Sequence, residues 1–217
     1  MFPRFRQAIF GIPLLSQAPR HASYTGPTTA TAIAQSGQAT NMATQANGNA
    51  EIATVANGCY WGTQHEYDKH MKGRLIKTEV GFTGGNTENP SYRQVCTGNT
   101  GHAEALRITF DPSKVSYAEI IELFYRTHDP TQMNGQGPDI GTQYRSAIFY
   151  HSPEQKEIAE KVTEEIKEKH PLVKAKGGKL ATQILPAGKW YTAEEYHQKY
   201  LDNNPSGYTC PTHRLWW

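Results

Sequence analysis

"IKTEVGFTGGNTENPSYRQVCTGNTGHAEALRITF" (residues 76–110) is the stretch that decides the fold. It reads as two strands, 76–82 and 105–110, separated by a Gly/Asn/Thr-rich loop with no helical pattern. The second strand alternates cleanly, with Leu106, Ile108 and Phe110 on one face and Arg107 and Thr109 on the other. Upstream, residues 52–56 read as a buried strand and 60–71 as a short helix stopped by Gly73. Downstream, Ser116 and Glu119 form a capping box ahead of Ile120, Ile121 and Phe124, so a helix follows. A second long loop, 129–144, leads into a strand at 145–150. Ser152, Pro153 and Gln155 then open a helix with the stripe Ile158, Ala159, Val162 and Ile166, ended by Pro171. Residues 180–185 read as a last strand and 192–201 as a last helix behind its own capping box. Strands and helices interleave except between 76–82 and 105–110. That exception favours an α+β two-layer sandwich with a mixed sheet and a ferredoxin-like core over a doubly wound parallel sheet. The tail, 202–217, carries two prolines and a glycine and is expected to be irregular and flexible.

Composition narrows the function. The net charge is +2 and the basic residues are scattered, which leaves no nucleic-acid footprint. No apolar run approaches the ~18 residues of a membrane span. Three widely spaced cysteines argue for individually placed thiols in a reducing compartment rather than a disulfide scaffold. The histidines show no zinc-ligand spacing, so no metal is expected. The first fifty residues differ from the rest. They contain no acid before Glu51, Arg4, Arg6 and Arg20 flank the apolar residues 8–15, and small hydroxyl and amide residues fill 27–50. Residues 1–50 thus read as a mitochondrial presequence and flexible linker ahead of a catalytic domain at 51–217. Met42 is a candidate start for a cytosolic short form, and N-terminal sequencing of the isolated protein would reveal either product.

In "NGCYWGTQHEY" (57–67), Cys59 lies where a strand turns into a helix, between Gly58 and the ring pair Tyr60–Trp61. Unpaired N–H groups at a helix start favour thiolate. A cysteine in this setting is either a nucleophile with a lowered pKa or a small buried hydrophobe.

Four blocks, "GCYWG", "TGGNTENPSYRQVCTGNTGHAEAL", "HDPTQMNGQGPDIGTQYRS" and "PAGKWYTAEEYHQKYL", resemble in order the A-type peptide methionine sulfoxide reductase family. The resemblance runs from about Ala53 to His213. It implies Cys59 as the nucleophile on the sulfoxide sulfur, and Tyr60 and Trp61 as the slot for the ε-methyl group. Tyr60 stands where the family has Phe, which places a hydroxyl at the rim of that slot. Glu104 matches the acid that protonates the oxygen, and its setting between Ala103 and Ala105 suits a raised pKa. Tyr92 and Tyr144 match the tyrosines that hydrogen-bond the oxygen, and Asp139 an acid that organises the pocket. "MNG" and Pro138 depart from the family wording before Asp139. Cys210, on the tail, matches the thiol that resolves a Cys59 sulfenic acid into a disulfide. The resemblance also implies thioredoxin as reductant, no bound cofactor, free and protein-bound methionine sulfoxide as substrates, and a monomer. Cys96 reads as structural, and His102, His128 and His197 as hydrogen-bonding framework. A cysteine hydrolase pairing Cys59 with a histidine, and a non-enzymatic redox module, are the rival readings; neither uses Glu104 and Cys210 together.

Overall fold

The computed structural model describes residues 50–217, so the basic arm, its linker and Met42 lie outside the described residues. The strands are β1 (Glu51–Asn57), β2 (Leu75–Thr83), β3 (Ala103–Phe110), β4 (Gly135–Gln136), β5 (Asp139–Ile140), β6 (Ser146–Tyr150), β7 (Gln183–Pro186) and β8 (Tyr191–Thr192). The helices are α1 (Tyr60–His70), α2 (Tyr92–Cys96), α3 (Tyr117–Arg126), α4 (Pro153–Lys169), α5 (Pro171–Ala175) and α6 (Tyr200–Asn203). Six strands form one sheet in the order β7-β6-β1-β3-β2-β8. Within it β6 and β7 run parallel and the other neighbours antiparallel, which makes the sheet mixed. The central elements follow one another as β1-α1-β2-β3-α3-β6, so β3 lies between β1 and β2, a split β-α-β arrangement.

The alternation in β3 sets the layers. Leu106, Ile108 and Phe110 join Val55, Val80, Phe82 and Ile148 against Tyr67 of α1, Ile120, Ile121 and Phe124 of α3, and Ala159, Val162 and Ile166 of α4. Non-directional apolar burial is what holds the helices on that face. Tyr67 also donates its hydroxyl to the Ile120 carbonyl at 2.7 Å, tying α1 to α3. The opposite face carries a smaller cluster of Ala105, Ala147 and Phe149 with Leu185, Ala187 and Trp190. Two of the three expected capping devices are present: Ser116 with Glu119 closes a complete box on α3, and Ser152 accepts from the Gln155 N–H on α4.

Several local expectations change. The loop 86–104 contains α2, capped by a Ser91–Gln94 box, and β3 begins at Ala103, so Glu104 is a strand residue. The loop 129–144 contains the β4–β5 hairpin and a 3₁₀ turn at Thr142–Tyr144. The helix opened by Ser152 ends at Lys169, ahead of Pro171 as expected, and Pro171 then opens the short α5 with His170 as its cap. The strand expected at 180–185 starts at Gln183, and one more strand, β8, follows it.

No helix spans 192–201. Residues Tyr191–Thr192 pair with β2 as β8, and Glu195–His197 is a 3₁₀ turn. The competing interaction is a buried carboxylate. Glu79 accepts from Thr192 Oγ1 and Trp190 Nε1, each at 2.9 Å, from Arg107 at 2.6 Å and from Lys77. Burial alone would raise its pKa, but these donors together hold it at about 2. Thr192 therefore serves this strand-edge network and not a helix start. The tail is irregular as expected but packed: Cys210 and His213 are buried, and Trp216 N–H donates to the Arg126 carbonyl at 2.9 Å.

Candidate active site

Asn57 ends β1 and Tyr60 begins α1, leaving Gly58 and Cys59 to make the corner. Gly58 has φ +106°, and a Cβ there would sit 2.7 Å from the Gln136 Cβ. Only glycine serves both conditions. Cys59 is the N-cap of α1, and the N–H groups of Trp61 and Gly62 face its sulfur. The expected lowering of its pKa does not result. Burial pushes the Cys59 thiol well up, negative charge on Glu104 adds to this, and the helix-start N–H groups offset only part. The helix-terminus argument holds for a solvated thiol; here desolvation is the larger effect.

Glu104 is 1 % exposed and accepts the Tyr60 N–H at 3.1 Å. Burial raises its pKa to about 8, with the Tyr60 hydrogen bond opposing and Asp139 adding. A neutral carboxylic acid beside a thiol is the resulting resting state at neutral pH. β3 fixes its position, since Glu104 pairs with Phe82 across the β2–β3 ladder.

The two long loops meet over this corner. Thr142 Oγ1 donates to the Gly98 carbonyl at 3.2 Å, Gln143 Nε2 to the Cys96 carbonyl at 3.5 Å, and Arg145 Nη2 to the Gly101 carbonyl at 3.1 Å. These bonds bring Tyr92 of α2 and Tyr144 of the 3₁₀ turn to one place. Partial burial raises the pKa of both hydroxyls, and Glu104 adds to each, so both are O–H donors throughout the physiological range. Asp139 on β5 accepts from Tyr208 Oη at 3.0 Å, and its charge acts on Cys59, Glu104 and Cys210. Cys96 is exposed, not a packed structural thiol, and shares α2 with Tyr92.

Trp61 stacks on Tyr200 with ring centroids 3.8 Å apart and planes at 16°, and donates Nε1–H to His197 Nδ1 at 3.1 Å. His197 also touches the rings of Tyr60 and Tyr92 at 5.4 and 4.4 Å between centroids. Stacking on one face and a hydrogen bond at the edge fix the indole. Sequence reasoning treated His197 as framework and missed Tyr200; both lie in "YHQKYL", where only the family wording signals them. Tyr60 departs from expectation. It is 1 % exposed, its ring against Phe82 at 5.8 Å, and its hydroxyl is buried with no partner among the described residues instead of standing at a rim. Tyr60→Phe is therefore expected to raise stability by about 1–3 kcal/mol, the cost of an unsatisfied buried hydroxyl. Urea denaturation checks this; a loss of stability would mean that the hydroxyl is satisfied.

Cys210 is buried and donates its thiol to the Gln136 carbonyl at 3.4 Å, with Thr212 Oγ1 at 3.1 Å. The side chain of the same Gln136 lies against Gly58, the neighbour of Cys59. All three cysteines are free. The surface clefts of 500 Å³ beside Lys72 and 630 Å³ beside Ile158 contain none of these residues. No group of three or more His, Cys, Asp or Glu capable of holding a metal occurs among the described residues.

A buried thiol at a helix start, a buried acid bonded to the next residue, and a second buried thiol bonded to the hairpin residue that packs against Gly58 are the elements of a thiol-dependent oxidoreductase. A model of the family described as peptide methionine sulfoxide reductase matches residues 51–215. The probable peptide methionine sulfoxide reductase of Schizosaccharomyces pombe is 53% identical over 169 residues, covering 77% of this chain and 97% of its own. The crystal structure of Mxr1 from Saccharomyces cerevisiae in reduced form superposes with a TM-score of 0.72 at 43% identity, covering 77% of this chain and 92% of that one. Mxr1 in complex with Trx2 matches with a TM-score of 0.54 at 27% identity, covering 81% and 96%. The chain belongs to the peptide methionine sulfoxide reductase family, and it is an enzyme that reduces methionine sulfoxide by thiol chemistry.

Proposed function

We propose that this protein reduces the S epimer of methionine sulfoxide, free and in proteins, through Cys59 and Cys210, with thioredoxin as the final reductant. The observation that carries the assignment of roles is Glu104, a buried acid neutral at pH 7 and hydrogen-bonded to the residue after the thiol. A sulfoxide oxygen cannot leave as oxide, so it needs a proton donor in place as the sulfur is attacked. Tyr92 and Tyr144 hold the oxygen, and the rings of Tyr60 and Trp61 receive the methyl group.

Glu104 delivers its proton to the sulfoxide oxygen as the Cys59 sulfur attacks, and it recovers one from the Cys59 thiol. Attack forms a bond between the Cys59 and methionine sulfurs as the S–O bond breaks and the protonated oxygen departs as hydroxide. Hydroxide then attacks the Cys59 sulfur and breaks the S–S bond, so methionine leaves and Cys59 is a sulfenic acid. Cys210 then forms the Cys59–Cys210 disulfide and releases water. Thioredoxin dithiol returns both thiols by exchange. The complex of Mxr1 with Trx2 supports this choice of reductant. Since the two thiols carry both electrons, the cycle needs no resident cofactor.

The test is thioredoxin-coupled NADPH oxidation with each sulfoxide epimer separately. Turnover of the S epimer alone is the expected result; equal turnover of both would overturn the stereochemical assignment. Ester hydrolysis with a burst would favour a hydrolase instead.

A further inference from the structure

The tail that carries Cys210 is not loose. His213 is buried and its Nε2 donates to the Asn57 carbonyl at 2.8 Å, two residues before Cys59. Its ring lies on α1 where residue 62 has no side chain: a Cβ on Gly62 would stand 2.0 Å from His213 Nδ1. Beyond it, Trp216 N–H bonds to the Arg126 carbonyl at 2.9 Å, and Arg126 Nη2 to the Trp217 carbonyl at 2.6 Å. Ahead of Cys210, residues 204–209 are exposed apart from the half-buried Gly207. The segment around the second thiol is thus pinned on its C-terminal side by His213 and Trp216, while its exposed N-terminal side is held by the Tyr208–Asp139 hydrogen bond.

Resting on the reading of Cys210 as the resolving thiol, we propose that His213 is a positioning residue for the second half of the cycle. It tethers Cys210 to the backbone beside Cys59, so that disulfide closure proceeds at a high local thiol concentration. The step it assists is balanced: Cys59 sulfenic acid and Cys210 thiol give a disulfide and water. The first step, attack on the sulfoxide, does not involve the tail. Removal of the tether should therefore split the two steps, since lost proximity acts only where the two groups must meet.

The experiment mixes the reduced full chain with one equivalent of methionine-S-sulfoxide. It follows methionine release, loss of free thiols, and trapping of Cys59 sulfenic acid by dimedone. For His213→Ala, methionine release is expected at the wild-type rate, with disulfide closure slowed about ten-fold or more. Dimedone adduct should accumulate as it does in Cys210→Ser. His213→Gln, which keeps an amide donor near the position of Nε2, should restore closure, a rescue that general loosening of the fold would not give. Closure at the wild-type rate in His213→Ala would overturn the tether. So would a fall in methionine release equal to the fall in closure. Wild-type protein that releases methionine but retains the Cys210 thiol would instead overturn the resolving role of Cys210 on which the tether rests.

Discussion

Cys59→Ser is expected to reduce turnover of methionine sulfoxide to background, a loss on the order of 10⁴-fold or more, with no methionine formed even in a single turnover. Sulfur is the atom that accepts oxygen in this cycle, and a serine hydroxyl offers neither its nucleophilicity nor a sulfenic state. The fold should persist, because serine is close in size to cysteine and its hydroxyl can face the same Trp61 and Gly62 N–H groups. Methionine release measured by chromatography decides the matter, and residual single-turnover product in the serine variant would move the chemistry to another thiol. The resting state has its own signature. Since burial and Glu104 hold the Cys59 thiol up, its alkylation in the free enzyme should increase only as pH rises above the range of an ordinary cysteine.

Glu104→Gln should lower kcat by about 10²–10⁴-fold, the usual contribution of a general acid, while leaving the structure in place. The amide oxygen can still accept the Tyr60 N–H that Glu104 accepts at 3.1 Å, but the proton needed by the leaving oxygen is gone. In the proposed mechanism the active form is the protonated acid, so activity should fall as pH rises through about 8, and the variant should lack that fall. Stability follows the same proton. The folded state keeps it up to about 8, whereas an unfolded carboxyl releases it near 4.5, so between those values the folded state binds more protons. Wild-type stability therefore declines with rising pH across that window. The glutamine variant has no such decline and should gain on the wild type between pH 5 and pH 9, as read from denaturation midpoints. Equal pH dependence in both proteins would mean that Glu104 is ionised in the fold and cannot be the acid.

Residues that act by type and adjacency were readable in the sequence. The strand alternation at Leu106, Ile108 and Phe110, the Ser116–Glu119 box and the helix-free link between β2 and β3 follow from local periodicity and capping. They are enough to set an α+β mixed sheet. The words around Cys59, Glu104, Tyr92, Tyr144, Asp139 and Cys210 carried the family, and the structure brings these six residues into one neighbourhood. Local reading failed where a distant partner competes. Thr192 looked like a helix cap but serves Glu79, whose other donors come from β2, β3 and Trp190. Residues 86–104 and 129–144 looked like plain loops, because a five-residue helix and a two-residue ladder leave almost no periodic trace.

Local patterning along the chain carried the α+β class and the four motif blocks carried the family, because both depend on residue type and on spacing. The protonation of Cys59 and Glu104 is set by tertiary packing. Desolvation depends on what surrounds a group in three dimensions, and it outweighs the helix-start effect at Cys59 and holds Glu104 neutral. The same is true of the tail: its composition reads as mobile, yet the bond from His213 to Asn57 spans 156 residues and cannot be inferred from either end.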